Sequence, residues 1–114
     1  MFESAVVCLA MNIYFEARNQ SFIGQVAVAQ VVMHRVYDER FPNNVCDVVY
    51  QGERYSWNTD IPVRNRCQFS WFCDGKSDKP TDAMAWERSL LVASGVYGGG
   101  SYDTVSGATH YHSV

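Results

Sequence analysis

The chain has 114 residues, of which 47% are hydrophobic, 14% aromatic and only 18% charged. That suffices for one folded domain with a core, is too short for two, and is too apolar for a disordered chain. A formal net charge of −3 argues against nucleic acid as a partner, because broad binding to phosphates needs an excess of positive charge.

The apolar run from Ala5 to Phe15 carries no charge. Phe2, Val6, Leu9, Ile13 and Ala17 recur at spacings of three and four, which predicts one buried face of a helix. Glu16 stands three residues after Ile13 and seven after Leu9, so its carboxyl falls on the edge of that buried stripe. Asn19 is a plausible C-cap, which places Glu16 in the last turn. Burial and the carbonyl end of a helix both favour the neutral form of a carboxyl. A carboxyl that keeps its proton near neutral pH is what a general acid requires. An exposed acid paired with Arg18 is the plainer alternative.

Ser21 predicts the N-cap of a second helix over Phe22 to Tyr37. Phe22, Val26, Ala29, Met33 and Val36 make one apolar stripe, and Val28, Val31 and Val32 add apolar surface elsewhere. A helix apolar nearly all round belongs at the centre of a fold. Its polar members Gln25, Gln30 and His34 then need partners or a cleft.

Phe41-Pro42-Asn43-Asn44 predicts a turn, and Val45 to Gln51 a short helix or extended turn. Gly52 to Arg66 has no clean period and reads as a long loop, with room for short strands. Cys67 to Gly75 alternates well enough to predict a strand ending at an Asp-Gly turn. Gln68, Ser70 and Phe72 would share one face of it, and Phe69 and Trp71 the other. Asp78, Pro80 and Thr81 introduce a helix from Asp82 to about Tyr97, with Ala83, Trp86, Leu90 and Ala93 buried. In the tail, His110 and His112 would point the same way on an extended segment.

The four cysteines include no C-x-x-C pair, so no standard zinc or redox motif is present. Cys8 reads as a small buried hydrophobe. Cys67 and Cys73 could bridge, but reduced thiols are the expectation for a cytosolic product. No signal peptide is visible, because Glu3 stands where a basic region belongs. No run reaches the roughly 18 apolar residues of a membrane span. The expectation is therefore a soluble protein made in the cytoplasm, without membrane insertion. Seven Tyr and three Trp suit a groove that stacks on sugar rings, although most are expected in the core.

Five segments taken together resemble one family: Tyr14-Phe15-Glu16-Ala17-Arg18, the helix from Gly24 to Val32, Arg40-Phe41-Pro42-Asn43, Cys67-Gln68-Phe69-Ser70-Trp71 and Gly107-Ala108-Thr109-His110-Tyr111. It is the cell wall hydrolase family typified by the spore cortex-lytic enzyme SleB, and the resemblance runs from about Leu9 to His112. It implies an α+β fold over residues 1–114, a mainly helical lysozyme-like domain with a small β lobe. It also implies cleavage of peptidoglycan glycan strands at the cell wall. The family's catalytic glutamate falls on Glu16. Tyr14, Gln68, Ser70, Trp71, Thr109, His110 and Tyr111 would hold the sugar or orient the acid. Family domains usually continue past the Thr-His-Tyr segment, whereas this chain stops at Val114. Small size without a leader also fits a phage lysis enzyme.

A standard glycosidase uses two carboxyls. Asp60, Asp74 and Asp103 are loop candidates for a second, although a turn residue is the plainer reading of each. One acid suffices if the nucleophile belongs to the substrate, as in a lytic transglycosylase, and no cofactor or metal is then needed. The alternatives are a non-catalytic peptidoglycan-binding module and a zinc-dependent amidase using His110 and His112. A monomer is expected.

Overall fold

The computed structural model describes residues 4–98, apart from the side chain of Glu53. Among them lie α1 (Ala5–Ala17), α2 (Phe22–Val36), α3 (Val45–Val49), β1 (Gly52–Tyr55), β2 (Asn58–Cys67), a 3-10 turn (Ser70–Cys73) and α4 (Ala83–Tyr97). The architecture is α+β and mainly helical, with one two-stranded antiparallel sheet. No described helix is long and apolar enough to cross a membrane.

Each longer helix starts where a side chain can satisfy a free backbone N–H. The Ser4 hydroxyl accepts from Val7 in α1, the Ser21 hydroxyl from Gly24 in α2, and the Asp82 carboxylate from Ala85 in α4. Both α1 and α4 pack on α2, and α3 closes against α1 and α2. The predicted central place of α2 holds: Val28 and Val32 are 1% and 0% exposed. Leu9, Ile13 and Ala17 of α1 are buried against it, as their spacing predicts, while Phe2 lies outside the described residues. Phe22 departs from its stripe and is half exposed, because it sits in the first turn, before the helix enters the core.

The buried face of α4 is turned from the predicted one. Ser89, Val92, Ala93 and Val96 are buried, Trp86 and Leu90 are half-buried, and Ala83 is exposed. Ser89 enters the interior because its hydroxyl donates to the carbonyl of Ala85 at 2.9 Å, one turn back.

The stretch from Gly52 to Arg66, expected as a loop with room for short strands, forms most of a two-stranded hairpin, with Gly52 opposite Cys67 and Tyr55 opposite Asn58. A glycine is required at the open end, since a Cβ on Gly52 would lie 2.7 Å from Cys67 Sγ.

The predicted strand over Cys67–Gly75 does not form. Cys67 and Cys73 are joined by a disulfide, with Cα atoms 6.1 Å apart. Six residue steps of extended chain would separate them by about 20 Å, so the segment must curl, and it does so as the 3-10 turn. The expected Asp-Gly reversal follows, with Gly75 at φ +83°. Cys8 is bonded to Cys46, tying α1 to α3. The expectation of reduced thiols is therefore overturned at both pairs. The spacing of the cysteines along the chain does not reveal that α1 and α3 meet.

The Cys8–Cys46 bond closes a long loop and should stabilise the fold chiefly by restricting the unfolded chain. Replacing both cysteines by alanine is expected to lower unfolding free energy by about 3 kcal/mol, read from denaturant midpoints. An unchanged midpoint in the double variant would contradict the bond.

Candidate active site

Glu16 lies in the last turn of α1 and is half-buried. Loss of hydration pushes its carboxyl above the ordinary value, and the positive charge of Arg35 pulls the other way. Burial therefore wins and favours the protonated form.

Arg35 is the feature that reading the sequence missed. It stands in the last turn of α2 and is only 4% exposed. Its guanidinium carbon lies 5.2 Å from the centre of the Phe41 ring and 5.0 Å from that of Phe69. Both are within cation–π range. Phe41 belongs to the Arg-Phe-Pro-Asn turn and Phe69 to the Cys-Gln-Phe-Ser-Trp segment. The backbone N–H of Phe41 donates to the Asp38 carbonyl at 3.0 Å, and Arg40 pairs with the Asp38 carboxylate at 2.8 Å, which holds that carboxyl down at about 2. Three separated stretches thus meet around one buried charge. A signal for it was present, because Arg35 follows Val32 by three residues and Val28 by seven and so continues a buried stripe.

The other expected site residues divide by burial. Gln68 and Ser70 are exposed. Tyr14 is 3% exposed, and its hydroxyl oxygen accepts from the backbone N–H of Thr81 at 3.1 Å and of Asp82 at 3.0 Å. It fixes the start of α4, a structural task. Trp71 is buried as well: its Nε1–H donates to Asn12 Oδ1 at 2.8 Å and its ring stacks on Phe15 at 4.8 Å. Thr109, His110 and Tyr111 lie outside the described residues, as do His112 and Asp103. Among the described residues no group of three His, Cys, Asp or Glu side chains is placed to hold a metal ion.

An open cleft of about 860 Å³ runs between α1, α3 and the hairpin. Met11, Tyr50, Trp71 and Phe72 give it an apolar wall, and Asp60 and Asp78 line it too. Glu16 is not part of this lining. Burial raises the Asp78 carboxyl pKa, with the Asp74 charge adding to the effect. Asp74 itself serves the turn, its carboxylate accepting from the backbone N–H of Lys76. At the tip of the hairpin Trp57 is 72% exposed beside Tyr55, an aromatic surface suited to a flat ligand.

A family model described as Cell Wall Hydrolase matches residues 19–114. The chain belongs to the cell wall hydrolase family. The spore cortex-lytic enzyme of Halalkalibacterium halodurans is 37% identical over 49 residues, covering 43% of this chain and 15% of that enzyme. The spore cortex-lytic enzyme of Bacillus cereus is 33% identical over 54 residues, 47% of this chain and 21% of its own length. That of Bacillus subtilis is 42% identical over 43 residues, 38% of this chain and 14% of its own. The matched stretch is about a fifth or less of each of these relatives. No solved structure matches the chain. Within this cell wall hydrolase domain the family match takes in Arg35, Phe41 and Phe69. It begins at residue 19, three positions after Glu16, so the role of Glu16 rests on its own surroundings.

Those surroundings have a measurable sign. The folded-state pKa of Glu16 is above its unfolded value, so between the two the native state binds more protons. Its contribution to stability is present at low pH and is lost as pH rises through the folded pKa. Glu16→Gln cannot ionise. Unfolding curves should show the variant gaining stability on the wild type as pH goes from below the ordinary carboxyl value of 4.5 to neutrality. A difference that stays flat with pH would contradict the burial of this carboxyl.

Proposed function

We propose that the chain cleaves the glycan strands of peptidoglycan, with Glu16 as its general acid. The observation that carries this reading is a half-buried carboxyl whose burial favours its protonated form, in a domain of the cell wall hydrolase family. The spore cortex-lytic enzymes it resembles support the same substrate by name. Two disulfides fit a protein that works in oxidising surroundings, at the cell wall.

The one-acid route is favoured by the electrostatics around Glu16. Among the described residues the charge acting on it is that of Arg35, and no carboxylate does so. In a lytic transglycosylase, Glu16 gives its proton to the glycosidic oxygen as the bond from that oxygen to C1 of muramic acid breaks. The 6-hydroxyl of the same sugar then attacks C1 and closes a 1,6-anhydro ring. Its proton passes to the Glu16 carboxylate and restores the acid, so no water is consumed. Exposed Gln68 and Ser70 are the described polar residues we assign to sugar binding, with Thr109, His110 and Tyr111 of the tail. Trp71 would contribute through the apolar wall of the cleft and Tyr14 only by bracing α4.

Glu16→Gln preserves shape but removes the acidic proton. Turnover of purified peptidoglycan should fall by about 10²–10⁴-fold, the usual contribution of general acid catalysis, while binding to insoluble wall stays close to wild type. Mass spectrometry of the wild-type digest should find anhydro-muramic ends. Hydrated reducing ends would replace transglycosylation by hydrolysis, which needs a second carboxyl. Full activity in the variant would remove Glu16 and make Asp78, the perturbed carboxyl of the cleft, the acid to test. A wild type that binds wall without cleaving it would favour a binding module.

A further inference from the structure

We propose that two copies of this chain pair through the outward face of α4, antiparallel about a two-fold axis that passes between Glu87 and Arg88. The pairing takes the place of the expected monomer, and it does not depend on which residue is the acid.

The inward face of α4 is occupied: Ser89, Val92, Ala93 and Val96 are buried, and the helix packs on α1 and α2. The outward side of such a helix is ordinarily polar, and here it is not. Met84 is 78% exposed and Leu91 75%. They stand seven residues apart, about two turns, and so lie nearly in line along the helix. Between them are Glu87 and Arg88, both exposed, one on each side of that line. Neither has an opposite charge three or four positions away on the helix, where a partner would have to be. Neither makes an ion pair among the described residues.

Two grooves flank Leu91. One, of about 410 Å³, is lined on α4 by Arg88, Leu91, Val92 and Gly95, with Phe22 of α2 at its border. The other, of about 300 Å³, is lined by Glu87, Leu90, Leu91 and Ser94. Each set is one residue together with those three, four and seven places further on. That is the four-sided hole into which a side chain of a facing helix inserts.

Two-fold symmetry supplies that side chain. In an antiparallel pair of identical helices, each residue faces the one equally far beyond the axis on the other copy. With the axis between 87 and 88, Met84 faces Leu91 of the second copy and Glu87 faces its Arg88. Met84 thus enters the holes beside Leu91, once from each copy, and its unbranched thioether chain suits an irregular gap. Each acid meets a base, also once from each copy. Shifting the axis by half a residue sets Glu87 against itself, or Arg88 against itself. The charges therefore fix the register of the pair. A foreign partner has no reason to repeat this symmetry, so the occupant is a second copy. On an insoluble polymer two joined copies hold on longer than one, a consequence that rests on the reading of peptidoglycan as the substrate.

The test is the molar mass of the full chain by sedimentation equilibrium, with concentration raised to about 1 mM, which populates even weak pairs. The wild-type mass should climb from that of one chain towards twice that value. Glu87→Arg gathers only positive charge at the axis and Arg88→Glu only negative charge, so each variant alone should stay at the monomer mass. Mixed in equal amounts the two should pair, because every arginine then meets a carboxylate. Both changes in one chain should also restore pairing, since they only exchange the ends of each ion pair. Positions 87 and 88 are exposed, so the fold should be unchanged, which circular dichroism checks. A wild type that keeps the monomer mass throughout would overturn the proposal and leave this face to another occupant, a different protein or the remainder of this chain. Pairing that survives either single reversal would overturn it as well, since the copies would then meet elsewhere. So would a mixture of the two variants that fails to pair.

Discussion

A guanidinium almost withdrawn from water sets the terms for the middle of this fold. Arg35 stands in the last turn of α2, and at 4% exposure its charge must be answered from within the protein. Among the described residues, groups from three places far apart in sequence act on it. The turn after α2 brings Phe41, the disulfide-closed segment after the hairpin brings Phe69, and the end of α1 brings Glu16. The backbone hydrogen bond from Phe41 to Asp38 and the Cys67–Cys73 bond hold the two segments that carry the rings.

The same neighbourhood explains how a single carboxyl can be both reluctant and ready to lose its proton. Desolvation at the α1–α2 contact penalises the carboxylate, and Arg35 returns part of that penalty. The two influences act in opposite directions, burial favouring the acid and the cation favouring the carboxylate. Packing of the helices is thereby linked to reactivity, because the buried contacts of Leu9, Ile13 and Ala17 hold the turn in which Glu16 sits.

Much of the helical frame was legible in the sequence because it obeys local rules. Ser21 marks the start of α2, the valines mark its burial, and the spacing of Glu16 after Leu9 and Ile13 marks its half-buried edge. The hairpin escaped because its second strand is largely exposed on both faces and so has no alternation to display. The segment from Cys67 to Gly75 misled because its polar–apolar alternation fits a strand, while a covalent bond between its ends imposes a turn. In α4 the apolar spacing does not mark Ser89, a polar residue that enters the interior with its hydroxyl satisfied within the helix. Arg35 escaped because its residue type is rarely buried. The stripe rule that singled out Glu16 applies equally to an arginine seven residues after Val28, but arginines are ordinarily assigned to the surface.

The central claim is that Glu16 holds its proton because it is buried, against the pull of Arg35. The most direct measurement is the titration of the Glu16 side-chain carboxyl carbon by NMR in the folded wild-type protein, assigned by comparison with Glu16→Gln. The account predicts a midpoint clearly above the ordinary carboxyl value of 4.5. A midpoint at or below that value would mean the carboxyl is hydrated or tightly ion-paired, and would contradict it.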